Sequence, residues 1–178
     1  MQTNSIPPQN EPIPLFSAAE IQQRITELGA EISRDYAQCE LHLVGIMKGA
    51  FIFMADLARA LTIPCVINFL YASSYGSEQT SSGHVRIEHD LDIHGKHVLL
   101  IEDIVDTGLT VNRIVSELQK QQPASVKACV LLDKAEARKF PADIHYTGFR
   151  VPKYFVVGYG IDFNEHYREL PYVARLED

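Results

Sequence analysis

The sequence predicts an α/β protein with a doubly wound, mainly parallel sheet and helices on both of its faces. Two observations lead there. Apolar runs of strand length alternate with stretches whose apolar residues recur at helical spacing. One run, Val98-Leu99-Leu100-Ile101, is apolar at four consecutive positions, which suits a strand covered on both sides rather than on one.

The elements can be justified in order. Residues 1–16, with Pro7, Pro8, Pro12 and Pro14 among Gln and Asn, read as a disordered or extended arm. Residues 17–178 read as a single domain. Ser17-Ala18-Ala19-Glu20 has the form of a capping box, and Ile21, Ile25, Leu28 and Ile32 continue one helical face. Leu41–Met47 reads as a strand, Lys48-Gly49 as a turn, and the segment to about Leu61 as a helix with Met54, Leu57, Ala58 and Leu61 on one face. Pro64 closes that connection and Cys65–Tyr71 is the next strand. Residues 73–84, SSYGSEQTSSGH, form a polar loop too long to be a simple linker. The strand at Val98 leads to a turn and a helix carrying Val111, Ile114, Val115 and Leu118. Strands at Val126–Leu132 and Tyr154–Tyr159 follow. In such a sheet ligands lie beyond the carboxyl ends of the strands, where Lys48, Glu102, Asp103 and Lys134 fall.

Composition narrows the function. A chain of 178 residues, 46% hydrophobic and 22% charged, is an ordinary globular domain. Its 23 acidic against 16 basic residues give a net charge of −7, which argues against nucleic-acid and membrane surfaces. Cys39, Cys65 and Cys129 include no C-x-x-C pair, and Cys65 and Cys129 sit in apolar runs that suit small buried thiols. No stretch has the length of a signal or a membrane span, so the expected location is the cytoplasm. His94 and His97 read as surface residues of a turn, without the partners of a metal site.

The chemistry concentrates in residues 98–111, VLLIEDIVDTGLTV. Two adjacent carboxylates, Glu102 and Asp103, follow the strand, and a core strand would not place them in its interior. Asp106-Thr107-Gly108-Leu109-Thr110 then makes a hydroxyl-bearing turn at the start of a helix. Unpaired N–H groups and the helix dipole there suit a phosphate monoester. Carboxylates next to a phosphate need a donor or a cation between them, either the vicinal hydroxyls of a ribose or a divalent ion. No G-x-x-x-x-G-K-[ST] and no G-x-G-x-x-G after a strand competes with this reading. The plain alternative is an acidic surface loop.

This segment resembles the phosphoribosyl pyrophosphate signature of the type I phosphoribosyltransferases. Leu43–Gly49, Ser74-Tyr75-Gly76, Leu131–Lys134, Phe155–Tyr159, Asp162–Glu165 and Arg168 are similar to the hypoxanthine-guanine branch of the bacterial kind. The likeness runs from about Ser17 onward. It implies a small hood region and a flexible active-site loop, and an enzyme of purine salvage that joins hypoxanthine, and guanine second, to phosphoribosyl pyrophosphate with Mg²⁺. Phosphoribosyl binding is implied for Glu102, Asp103, Asp106, Thr107, Gly108, Leu109 and Thr110, with Asp106 also the acid/base at purine N7. Lys134, Phe155, Val156 and Asp162 are implied at the purine. Lys48, Gly49 and Arg168 are implied at pyrophosphate, with unusual peptide geometry at the Lys48-Gly49 dipeptide. Ser74 and Tyr75 are implied in the lid, and Glu102, Asp103 and Asp162 at the metal. The implied partners are these small substrates and a second copy of the chain, in a dimer or tetramer. Two departures stand out: Leu109 where some relatives carry a basic residue, and Ala135 where proline is common.

The residues alone leave other roles open. Asp106 could cap the helix, Arg168 could be an exposed helix charge paired with Glu165 or Glu169, Lys48 could be solvated, and Phe155 and Val156 could be core. The alternatives in function are a transferase preferring xanthine or guanine, and a nucleotide-sensing regulator that binds RNA.

Overall fold

The computed structural model describes residues 11–74, 85–88 and 91–177. The elements, in order, are β1 (Ile13–Phe16), α1 (Ala18–Asp35), β2 (Leu41–Met47), α2 (Phe51–Ala60), β3 (Cys65–Ser74), β4 (Val85–Glu88), β5 (His97–Val105), α3 (Leu109–Gln119), β6 (Ser125–Asp133), β7 (Tyr146–Arg150), β8 (Phe155–Val157) and β9 (Val173–Leu176). Helix α1 starts at a closed capping box. Ser17 Oγ accepts from Glu20 N–H, and the Glu20 carboxylate accepts from Ser17 N–H at 2.8 Å.

The main sheet runs β4-β3-β2-β5-β6-β7. Its inner pairs are parallel, and only β4 runs antiparallel, at the edge. Helices α1 and α2 cover one face with Ile21, Ile25, Leu28, Phe53 and Leu57, packed on Leu43, Leu99 and Ile101. Helix α3 covers the other with Val111, Ile114 and Leu118, packed on Val44, Val98 and Leu100. Successive residues of β5 therefore meet opposite helical layers, and Val98 to Ile101 are all fully buried. The antiparallel sheet β1-β9-β8 forms the hood, so the end of the N-terminal arm pairs with the last strand of the chain.

The chain winds outward to β3 after β2, and to the opposite side after β5. The topological switch point therefore lies between β2 and β5, where a sheet of this kind opens a crevice. Pairing of β2 with β5 ends at Gly45 opposite Ile101, whereas β5 stays paired with β6 as far as Val105 opposite Asp133.

That difference corrects one expectation. Glu102 and Asp103 do not follow the strand; they lie inside β5, because β6 goes on holding the backbone after β2 has left. Two further readings change. Cys65 suited a small buried thiol, yet it is only partly buried, and Ile67, Phe69 and Tyr71 of the same strand are exposed. His97 starts β5 instead of sitting in a surface turn, and its Nδ1 lies 2.9 Å from Ser125 Oγ. Strands β7 and β9 carry no signal the sequence reading used. Of the lid residues, Ser74 closes β3, and Tyr75 with the rest of 75–84 lies outside the described residues.

Candidate active site

The phosphate turn is built on Gly108. This residue is the N-cap of α3 with φ 85°, and a Cβ there would strike the Phe140 carbonyl, so only glycine fits. Asp106 is therefore not a helix cap; it stands two residues earlier with its side chain about half exposed. The turn is braced from behind by Thr107 O, which accepts from Lys139 N–H at 3.1 Å and Phe140 N–H at 3.0 Å. Leu109 N–H turns back to Thr107 Oγ1 at 3.4 Å. In front of the turn is a cavity of about 110 Å³ lined by Glu102, Asp106, Thr107, Gly108 and Thr110. A wider cleft of about 640 Å³ lies nearby, where Arg138 pairs with Asp133 and Asn112 Nδ2 donates to Pro141 O at 2.6 Å. The smaller cavity is the one lined by the acids and hydroxyls of the phosphate turn.

Both acids of β5 are deep. Burial first, then the charge of Asp103, hold the Glu102 carboxyl well above the usual range. Burial raises Asp103 as well, against hydrogen bonds from Glu102 and from Ile104 N–H, the latter at 2.9 Å. Glu102 Oε2 is buried with no partner. An orphaned carboxylate oxygen beside a second acid calls for a cation or hydroxyl donors. Gly49 lies against this pair, since a Cβ there would fall on Asp103 Oδ2. The peptide bond between Met47 and Lys48 is cis, one bond before the dipeptide where unusual geometry was expected.

On the base side, Lys134 directly follows β6, and its N–H donates to Val105 O at 3.0 Å. That bond ties Lys134 to the end of β5, so its Nζ reaches 3.7 Å from Asp106 Oδ2. The lysine is mostly buried while the aspartate faces the cleft. Ala135 continues into a single 3-10 turn, Ala135–Ala137. Phe155 opens β8 and is 48% exposed, against the core role its residue type suggests. Phe163 meets the ring edge-on at 5.4 Å between centroids. Val156 is buried, as a core residue would be.

The opposite rim comes from the segment after β8. Arg168 is in a turn rather than a helix. Its Nη1 donates to Gly160 O at 2.8 Å, and its Nη2 lies 2.9 Å from Asp162 Oδ1 and 3.4 Å from Glu165 Oε2. Its Nε is buried and unpartnered. Asp162 Oδ2 accepts from Glu165 N–H at 2.8 Å. Lys48 is more than half exposed, and its Nζ donates to Glu165 Oε2 at 3.0 Å. This bond holds the Glu165 carboxyl below the usual range. Among the described residues no three acidic, histidine or cysteine side chains form a ready-made metal cage.

Two participants escaped the sequence reading. Gly160, with φ 100°, presses on Gly49, and a Cβ would strike the Gly49 carbonyl. Paired glycines around Tyr159 were the available signal of such a close approach. Glu165 was seen only as part of a similar segment, and its link to Lys48 had no local signal.

A model of the phosphoribosyl transferase domain matches residues 15–164. The chain is 46% identical over 170 residues to the hypoxanthine-guanine phosphoribosyltransferase of Dictyostelium discoideum, covering 92% of this chain and 94% of that one. Among solved structures, a variant of the Trypanosoma cruzi hypoxanthine phosphoribosyltransferase in a ternary complex with its substrates superposes with a TM-score of 0.87, at 41% identity over 92% of this chain and 94% of that one. Another structure of the T. cruzi enzyme, concerned with its C-terminal region, oligomeric state and activity, gives 0.88 at 41% identity, over 96% and 95%.

Proposed function

Because the chain belongs to the phosphoribosyl transferase family, among its hypoxanthine-guanine members, we propose that it joins a 6-oxopurine to phosphoribosyl pyrophosphate in purine salvage, hypoxanthine first and guanine second. The single observation that carries the substrate class is Lys134 Nζ standing 3.7 Å from Asp106 Oδ2 at the mouth of the phosphate turn. A 6-oxopurine presents O6 and N7 side by side along one edge. An ammonium beside a carboxylate is the complement of that edge when N7 carries a proton. An aminopurine would put a donor against Lys134 and leave the ammonium without an acceptor.

The reaction then divides among the chain's own groups. Thr107, Gly108, Leu109 and Thr110 hold the sugar 5-phosphate through amide hydrogens and hydroxyls at the start of α3. Glu102 and Asp103 hold the ribose diol. Phe155 stacks on the purine, the Val156 backbone meets its edge, and the Asp162 carbonyl faces position 2. The N9 lone pair attacks C1, the bond from C1 to the pyrophosphate oxygen breaks, and the N7 proton passes to Asp106. Lys48, the Gly49 amide and Arg168 take the departing pyrophosphate.

The donor set fits Mg²⁺. The unpartnered Glu102 oxygen and the raised carboxyls of Glu102 and Asp103 leave a local shortage of positive charge. Glu102, Asp103 and Asp162 would hold the ion only in company with donor oxygens and water, as Mg²⁺ prefers. When bound, the ion neutralises charge developing on the leaving group.

We assign the protein to the cytoplasm, in keeping with three cysteines that are all free. No described helix is long and apolar enough to cross a membrane. A homo-oligomer, dimer or tetramer, is part of the same reading, supported by the exposed Ile67, Phe69 and Tyr71 of β3. The test is steady-state turnover with hypoxanthine, guanine, xanthine and adenine, each with and without Mg²⁺. Hypoxanthine should lead, adenine should be rejected, and metal removal should stop turnover. Preference for xanthine would transfer the assignment to the neighbouring specificity, and pyrophosphate release from none of the four would remove it.

A further inference from the structure

One carboxylate oxygen joins the two cations assigned to pyrophosphate. Glu165 Oε2 lies 3.0 Å from Lys48 Nζ and 3.4 Å from Arg168 Nη2. The placement is built into the backbone. Glu165 has φ 67° between Asn164 at 50° and Tyr167 at 75°, left-handed conformations that side-chain-bearing residues rarely adopt. Asp162 Oδ2 fixes the Glu165 N–H, and the turn is closed by reciprocal bonds between Phe163 and His166 at 3.1 and 3.0 Å. Arg168 Nε, buried and unpartnered, shows that this carboxylate does not fill the donor set.

We propose that Glu165 is an internal stand-in for the leaving group. Its carboxylate holds Lys48 and Arg168 together in the ligand-free enzyme, is displaced by the pyrophosphate moiety of the donor, and competes with free pyrophosphate after transfer. This rests on the assignment of Lys48 and Arg168 to pyrophosphate. No bond is made or broken; one anion exchanges for another. The exchange is cheap because both partners of the Lys48 bond are more than half exposed, and exposed ion pairs are weak.

The experiment is inhibition of turnover by inorganic pyrophosphate, with the donor KM measured alongside. In Glu165→Gln, pyrophosphate should inhibit at about two- to fivefold lower concentration, and the donor KM should fall with it. Glu165→Asp, which withdraws the carboxylate by one methylene, should move both the same way by less. Glu169→Gln removes the same charge four positions further on, from an exposed side chain outside the cluster, and should change neither. An unchanged or raised inhibition constant in Glu165→Gln overturns the proposal, as does an equal fall in Glu169→Gln. Lys48→Ala separates the two levels. If it weakens pyrophosphate while Glu165→Gln does nothing, only the stand-in fails. If it leaves pyrophosphate inhibition untouched, the pyrophosphate assignment itself fails.

Discussion

Near the end of β5 the carboxyls of Glu102 and Asp103 lie side by side, with Glu102 Oε2 buried and unpartnered and the charge of Arg168 acting only weakly on Asp103. Across the crevice, Lys48 and Arg168 are already engaged with Asp162 and Glu165. The first region is short of positive charge and has an unpartnered carboxylate oxygen; the second has cations whose partners must give way. A donor with a diol at one end and a polyanion at the other answers both. It fills an unmet need on the sheet side and replaces a met one on the hood side. The sheet side should therefore be costly to the empty protein and selective for ligand, whereas the hood side should be stabilising and easily exchanged.

The strongest challenge to this division is Asp106→Asn. Asp106 stands at the mouth of the turn, outside both charge clusters, so its loss should leave donor binding nearly intact. Turnover should fall by about 10²- to 10⁴-fold, the usual yield of a positioned acid or base. Single-turnover rates with hypoxanthine, set beside the donor KM, check it; a rate near that of wild type would remove Asp106 from proton transfer. A smaller effect is expected at Lys134→Ala. Losing a charged hydrogen bond to O6 is worth roughly tenfold to a hundredfold in kcat/KM for hypoxanthine. Adenine should gain relative to hypoxanthine while the donor KM barely moves. Unchanged selectivity between the two bases would take Lys134 out of the purine pocket.

The same two regions differ in how far they could be read from the chain. The phosphate turn was legible because its chemistry is local. A glycine, two threonines and the first apolar positions of α3 follow one another, and the structure adds the left-handed φ at Gly108 and the brace from Phe140. The capping box at Ser17 and the helical faces of α1 and α3 were legible for the same reason. The hood side was not. Lys48 meets Glu165 across 117 positions, Gly160 presses on Gly49, and β1 pairs with β9 at the far end of the chain. Residue types carry no record of such distant contacts. The acids of β5 fall between these cases. Their chemistry was visible, but their position inside the strand depends on β6 pairing four residues beyond the last β2 partner, Ile101.

The sharpest form of the comparison pairs two isosteric changes with opposite expected signs. Glu102→Gln removes a carboxyl that burial and Asp103 make costly to ionise, and it should stabilise the ligand-free protein at neutral pH. Asp162→Asn removes the charge and leaves one oxygen where two accept, from Arg168 Nη2 and from the Glu165 N–H, and it should destabilise. About 1 to 3 kcal/mol is reasonable in each direction for groups of this kind, or a few degrees in the thermal midpoint. The first effect also has a required pH dependence. Because the folded value of Glu102 is raised, the folded state holds a proton that the unfolded chain releases. Wild-type stability from this group is therefore complete below the ordinary carboxylate range and falls as pH rises toward the raised value. The gain from Glu102→Gln should accordingly vanish in acid and grow toward neutrality, while donor with Mg²⁺ should stabilise wild type more than the variant. Thermal melts of both variants between pH 4 and pH 8, with and without donor, decide the matter. Two variants shifting in the same direction at neutral pH would mean that the two sides of the crevice are electrostatically alike.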